Sequence, residues 1–156
     1  MSEAELQVAV AQYLRMAHSD VMFHSDFGSG AKLRPYQAKI QKMQNGGRRA
    51  WPDLFIAQPK REAVKVKFDA ADNKGNKLKA EVIVSNGLFI ELKKEGTRLK
   101  KKNGEWASDH IAEQAEVLEE LRQKGYMATF AVGFDEATNI IDDYLIGKNG
   151  GKNVNI

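Results

Sequence analysis

The chain has 156 residues, 42% of them hydrophobic, which suits one compact domain with a substantial core rather than several domains. It contains no cysteine, so disulfides and thiolate metal sites are excluded, and its formal net charge of +3 does not by itself select a nucleic-acid partner. No apolar run is long enough to span a membrane and the amino terminus does not resemble a signal peptide, so the expected location is the cytoplasm, with no membrane partner.

Residues 3–17 read as an amphipathic helix in which Leu6, Val10, Tyr13, Leu14 and Ala17 face a core. Glu3 and Gln7 fall on the side of Val10 and Leu14, which favours Glu3 over Glu5 as a carboxylate reaching inward; helix capping is an equally good use for it. Residues 24–49 read as a loop, with His24 and several glycines, around a short helix at 36–43. Lys32, Arg34, Lys39, Lys42, Arg48 and Arg49 occur there without an intervening acid, a local charge of +6 suited to phosphates. The glycines do not build a phosphate-binding loop, because the required Lys-Ser/Thr ending is absent.

Pro52-Asp53 opens the apolar run Leu54-Phe55-Ile56-Ala57, and Glu91-Leu92-Lys93 closes another, Leu88-Phe89-Ile90. Both runs read as strands of a covered sheet, and strand alternation puts Glu91 and Lys93 on one face and Leu92 on the other. Two carboxylates and an amine gathered this way suit a divalent cation and phosphodiester hydrolysis. Taken singly, a Pro-Asp pair also suits a turn, and alternating Glu and Lys a solvated strand face. Clustered charge in a covered sheet argues for a site, since burying it unpaired is costly.

Between these strands, residues 63–68 alternate as a half-buried strand, 78–84 supply its partner, and 72–76 make the turn. The hairpin insertion spans about 59–87 and serves as a substrate-facing wing, a dimer contact or a plain structural extension. Lys93, Lys94, Arg98, Lys100, Lys101 and Lys102 against Glu95 form a second basic run. Residues 109–123 read as a helix burying Ile111, Ala115, Leu118 and Leu121, with Gln114 on the same face. A core-facing glutamine needs polar partners, either a carboxylate site or helix-edge backbone. Gly125 ends that helix, 126–132 form a third core strand, and Asp135 caps a last helix carrying Ala137, Ile140, Ile141, Tyr144 and Leu145. The expected domain is 1–146, followed by a frayed tail at 147–156. His18, His24 and His110 have no metal-binding spacing, while Trp51 and Trp106 suit packing or base stacking.

Glu3-Ala4-Glu5-Leu6-Gln7, Gly47 to Phe55, Gly87 to Lys93, Glu113-Gln114 and Lys124-Gly125-Tyr126, in that order, resemble the virus-type replication-repair nuclease (VRR-NUC) domain of the PD-(D/E)xK nucleases. The 38 positions separating Asp53 from Glu91 exceed the shorter connection expected of that family, which is where the hairpin is read. The resemblance implies an α/β fold with a restriction-endonuclease-like core: a central mixed sheet flanked by helices, with the hairpin inserted. It implies an Mg2+- or Mn2+-dependent endonuclease for structured or branched DNA, such as four-way (Holliday) junctions, in replication, recombination or repair in a viral or mobile-element setting, the host cytoplasm if viral. Asp53 and Glu91 would be metal ligands, with Glu3 or Glu5 as the helix glutamate, Lys93 the catalytic lysine and Gln114 a supporting residue. Arg48, Arg49, Lys100, Lys101 and Lys102 are the expected DNA contacts, and a homodimer is expected. A restriction-type duplex nuclease and a noncatalytic DNA-binding module are the alternatives.

Overall fold

The computed structural model describes residues 1–26, 33–48, 50–67 and 77–147. In chain order the elements are α1 (Glu3–Ala17), β1 (Phe23–Ser25), α2 (Pro35–Gln44), β2 (Leu54–Ile56), β3 (Lys60–Lys67), β4 (Lys77–Ser85), β5 (Leu88–Lys93), α3 (Asp109–Gln123), β6 (Met127–Val132) and α4 (Phe134–Leu145). Among the described residues, no helix is long and apolar enough to cross a membrane.

The central sheet runs β1-β2-β5-β6, antiparallel up to β5 and parallel from β5 to β6, where α3 makes the crossover. A parallel pair needs such a connection, since a hairpin cannot join it. The sheet is mixed and covered on both faces. Leu54, Ile56, Leu88, Ile90 and Leu92 pack with Leu6, Val10 and Leu14 of α1 and with Ala137, Ile141 and Tyr144 of α4. On the other face Phe89, Ala128 and Phe130 pack with Ile111, Val117, Leu118 and Leu121 of α3. Strand β5 thus divides its side chains by parity, even-numbered apolar residues toward α1 and α4, and Phe89 toward α3. Each fully buried Leu or Ile contributes about 1.5–3 kcal/mol by leaving water. The expected α/β core of restriction-endonuclease type is present.

Helix ends follow local chemistry. Ser2 and Glu5 form a reciprocal capping box that starts α1. Ser108 Oγ accepts from Ile111 N at 3.2 Å to start α3. At α4 the expected Asp135 cap is corrected: Gly133, at φ 84°, precedes the helix, and no side chain caps it. Gly133 N–H donates to Lys93 O at 2.8 Å, so the chain leaves β6 by a tight turn and the helix begins before Asp135. Asp135 sits in the first turn, where negative charge suits the helix dipole. Gly87 has a different role, because a Cβ there would lie 2.8 Å from Ile56 O and from the Phe55 ring.

Four further expectations are corrected. His24 and Ser25 belong to β1, not to a loop, because the short strand is held by pairing with β2. Ala17 is exposed at the end of α1, beyond the part that rests on the sheet. Val117, rather than Ala115, completes the buried face of α3. The described side chains of the hairpin do not alternate between buried and exposed: among the described residues β3 and β4 pair only with each other, as a separate sheet, and Arg61 to Val64 and Glu81 to Val84 are all exposed. Its expected turn at 72–76, Phe68 and the tail from 148 onward lie outside the described residues.

Candidate active site

Extending the β2–β5 register by one residue brings Asp53, which precedes β2, opposite Glu91, so strand pairing closes the 38-residue separation. Pro52 and Asp53 are buried there. Asp53 Oδ2 accepts from Leu92 N at 2.8 Å, and its Oδ1 accepts from Gln7 Nε2 at 2.8 Å. A backbone amide of β5 and a side chain of α1 therefore fix both oxygens of one carboxylate.

Glu91 is 2% exposed and Lys93 6% exposed, both deep in the covered sheet. Lys93 Nζ donates to Glu91 Oε1 at 3.1 Å, as their shared parity on β5 predicts. Gln114 Nε2, reaching across from α3, donates to the same oxygen. Glu91 Oε2 and Gln114 Oε1 are buried without a hydrogen-bond partner. A buried acceptor left unpaired is unfavourable, and one on each of two hydrogen-bonded side chains marks a place where a cation or a water would be stabilised. Burial pushes the Glu91 carboxyl up to about 8, with the Asp53 charge adding to the rise, Lys93 opposing it and Glu3 adding a smaller push.

The two helix glutamates separate cleanly. Glu5 is committed to the capping box, and the hydrogen bonds from Ser2 hold its carboxyl below the usual range. Glu3 is half-buried and reaches Glu91 through its charge, without a hydrogen bond to it. Among the described residues, no three His, Cys, Asp or Glu side chains gather closely enough to hold a metal ion. The close carboxylate pair is Asp53 with Glu91. Gln7 was not expected at the site, although its place on the Glu3 side of the helix was the available signal.

The basic residues have partners of their own. Arg48 forms a two-pronged ion pair with Glu120 on α3, each side chain about half exposed. Arg49 lies outside the described residues. Lys100 pairs with Trp106 across a short bridge, with its Nζ 4.8 Å from the indole centroid. Lys101 Nζ lies 4.0 Å from Glu105, and Lys102 is exposed at the tip of the same ribbon. His18 binds Asp142 at 2.8 Å, where Tyr13 OH also donates, so it ties α1 to α4 far from Glu91 in the fold.

No family model and no curated protein matches the chain. Among solved structures, one titled "VRR_NUC domain protein" is similar, with a TM-score of 0.53 and 23% identity over 93% of this chain and 88% of that one. The likeness is one of fold and spans nearly the whole length. The α/β core seen here is the one the sequence resemblance implies.

Proposed function

We propose that the protein is a divalent-cation-dependent endonuclease that hydrolyses DNA phosphodiester bonds. The observation that carries the reading is Glu91, clasped on one oxygen by Lys93 and Gln114, with its other oxygen buried and unpaired beside Asp53. The donor set fits Mg2+ or Mn2+, hard cations that take one or two carboxylates and complete their shell with water and phosphate oxygens. When bound, such a cation supplies Lewis acidity and a more acidic water. Asp53 and Glu91 would hold it. Gln7 and Leu92 N–H fix the Asp53 carboxylate, and Gln114 fixes that of Glu91. The Lys93 ammonium supports negative charge developing on a phosphate or orients the attacking water.

Branched or structured DNA is the proposed substrate class. One catalytic group per chain cuts one strand, so a two-fold homodimer would supply the second cut at a junction. The competing reading is a noncatalytic DNA-binding module, and both are tested together. Titrated with Mn2+, the wild type should bind more tightly than Asp53→Asn or Glu91→Gln, each folded by circular dichroism. Given Mg2+ or Mn2+, the wild type should cut members of a panel of linear, flap and four-way DNA, and Lys93→Ala should lose at least about a hundredfold in rate. Equal metal affinity in all three proteins, with the whole panel bound but uncut, would overturn the proposal.

A further inference from the structure

Helix α2 buries none of its own residues against the core, yet it walls a groove of about 760 Å3. Ala50 and Trp51 also line it, together with His110 and Gln114 of α3. Lys39 and Lys42 on α2, and Arg48 beyond it, bring positive charge to the groove, against one acid, Asp26, among the described residues that line it. Arg48 is held by Glu120, which leaves Lys39 and Lys42 as the available cations among the described residues of the lining. Trp51 is 37% exposed, and its Nε1 donates to Asn45 O at 3.1 Å, so the ring is fixed rather than free to turn. The inner end is Gln114, 5% exposed, with Oε1 unpaired and Nε2 bonded to Glu91. Gln114 thus connects the groove wall to Glu91 of the proposed catalytic group.

We propose that this groove, between α2 and the start of α3, binds an unpaired segment of the nucleic-acid strand being cut, with a base against Trp51 and phosphates at Lys39 and Lys42. The proposal rests on the nuclease reading and specifies its substrate as a strand with unpaired nucleotides next to the scissile bond. Volume favours this. About 760 Å3 lies within the range of ligand-sized sites, whereas a double helix, whose major groove alone is about 12 Å wide, does not enter. Composition favours it too, since a fixed aromatic face flanked by lysines stacks bases without regard to sequence and neutralises the backbone. An unpartnered amide oxygen at the inner end gives an entering nucleotide, or a water it carries, a hydrogen-bond acceptor.

The test measures binding in a chelator, where nothing is cut, by fluorescence anisotropy on a short single strand and on a blunt duplex of equal length. Lys39→Ala/Lys42→Ala, a change confined to the surface helix, should flatten the log–log salt slope for the single strand by about 1.4. Trp51→Leu should weaken single-strand binding about tenfold. Both variants should leave duplex affinity unchanged. In a Trp106→Phe background Trp51 is the lone tryptophan, and its emission should be quenched by the single strand and not by the duplex. Unaltered single-strand binding in both variants, equal losses on both DNAs, or unchanged Trp51 emission would each overturn the groove assignment. Should the wild type cut DNA in Mg2+ while the variants bind single strands normally, the groove fails and the nuclease reading stands. Groove-dependent binding with no cutting of any substrate would support the groove and sink the nuclease.

Discussion

At Glu91 the cost of burial is visible in its proton affinity. Its carboxyl is raised from 4.5 to about 8. Between those values the folded, metal-free protein holds a proton that the unfolded chain has released, so stability falls as pH rises through the window and levels off above about 8. Chemical denaturation in the presence of a chelator should show this slope, and Glu91→Gln should remove it. A stability that climbs across the same window would contradict the assignment. Gln7 offers a second check at this scale. Its amide holds Asp53 Oδ1, a role of the kind in which loss costs about tenfold to a hundredfold in metal affinity. Gln7→Ala should therefore weaken Mn2+ binding by that amount in calorimetry while the fold persists, because the side chain is only half-buried. Undiminished affinity would mean that Asp53 is oriented without Gln7.

Among the elements, β3 and β4 stand apart. They pair with each other and expose Val64, Val82, Ile83 and Val84, so the central sheet gains little from them. Their root is better anchored than their length. Tyr144 OH donates to Gln58 O, and Ser85 Oγ accepts from Met127 N at 3.0 Å. Replacing residues 61–84 by a short glycine-containing turn should thus leave a folded protein whose Tm changes by no more than a few degrees, with metal affinity retained. Aggregation or a broad, uncooperative melt would show that the hairpin stabilises the core. Register supports keeping both ends of the cut. Lys60 already pairs with Ser85 across the strands. The ribbon around Lys100 to Trp106 differs in kind, because a cation–π contact and backbone bonds brace it on the α3 side of the sheet.

For the whole molecule the open question is how many copies act together. A chain with one proposed catalytic group nicks one strand, and the valines of the hairpin offer an apolar surface of the kind that contacts between copies use. Sedimentation across a concentration series should reveal a dimer that a four-way junction strengthens. Hybrids of wild-type and Lys93→Ala subunits should then nick one strand far more readily than they cut both. A protein that stays monomeric and acts on a junction as one copy would defeat this expectation.

Local pattern alone determined the strand that carries Glu91 and Lys93, the strand that Asp53 precedes, the limits of α1 and α3, and the inward face of Gln114. These features repeat every two or every 3.6 residues, and the side chains that define them sit within one element. Tertiary structure decided what periodicity does not encode. Only pairing with β2 makes a strand of Phe23–Ser25, whose three residues are too few to show a period. Only the approach of α1 to the start of β2 lets Gln7 hold Asp53, a contact spanning 46 positions. Arg48 reads as a free cation until α3 brings Glu120 beside it, 72 positions away. The alternation of β3 and β4 suggests one buried face, yet Val64, Val82, Ile83 and Val84 are exposed, since what covers a strand is set by the path of the rest of the chain. Residue type and spacing thus select which groups are able to do the chemistry; long-range packing determines which of them meet, which are already paired, and which oxygen is left without a partner.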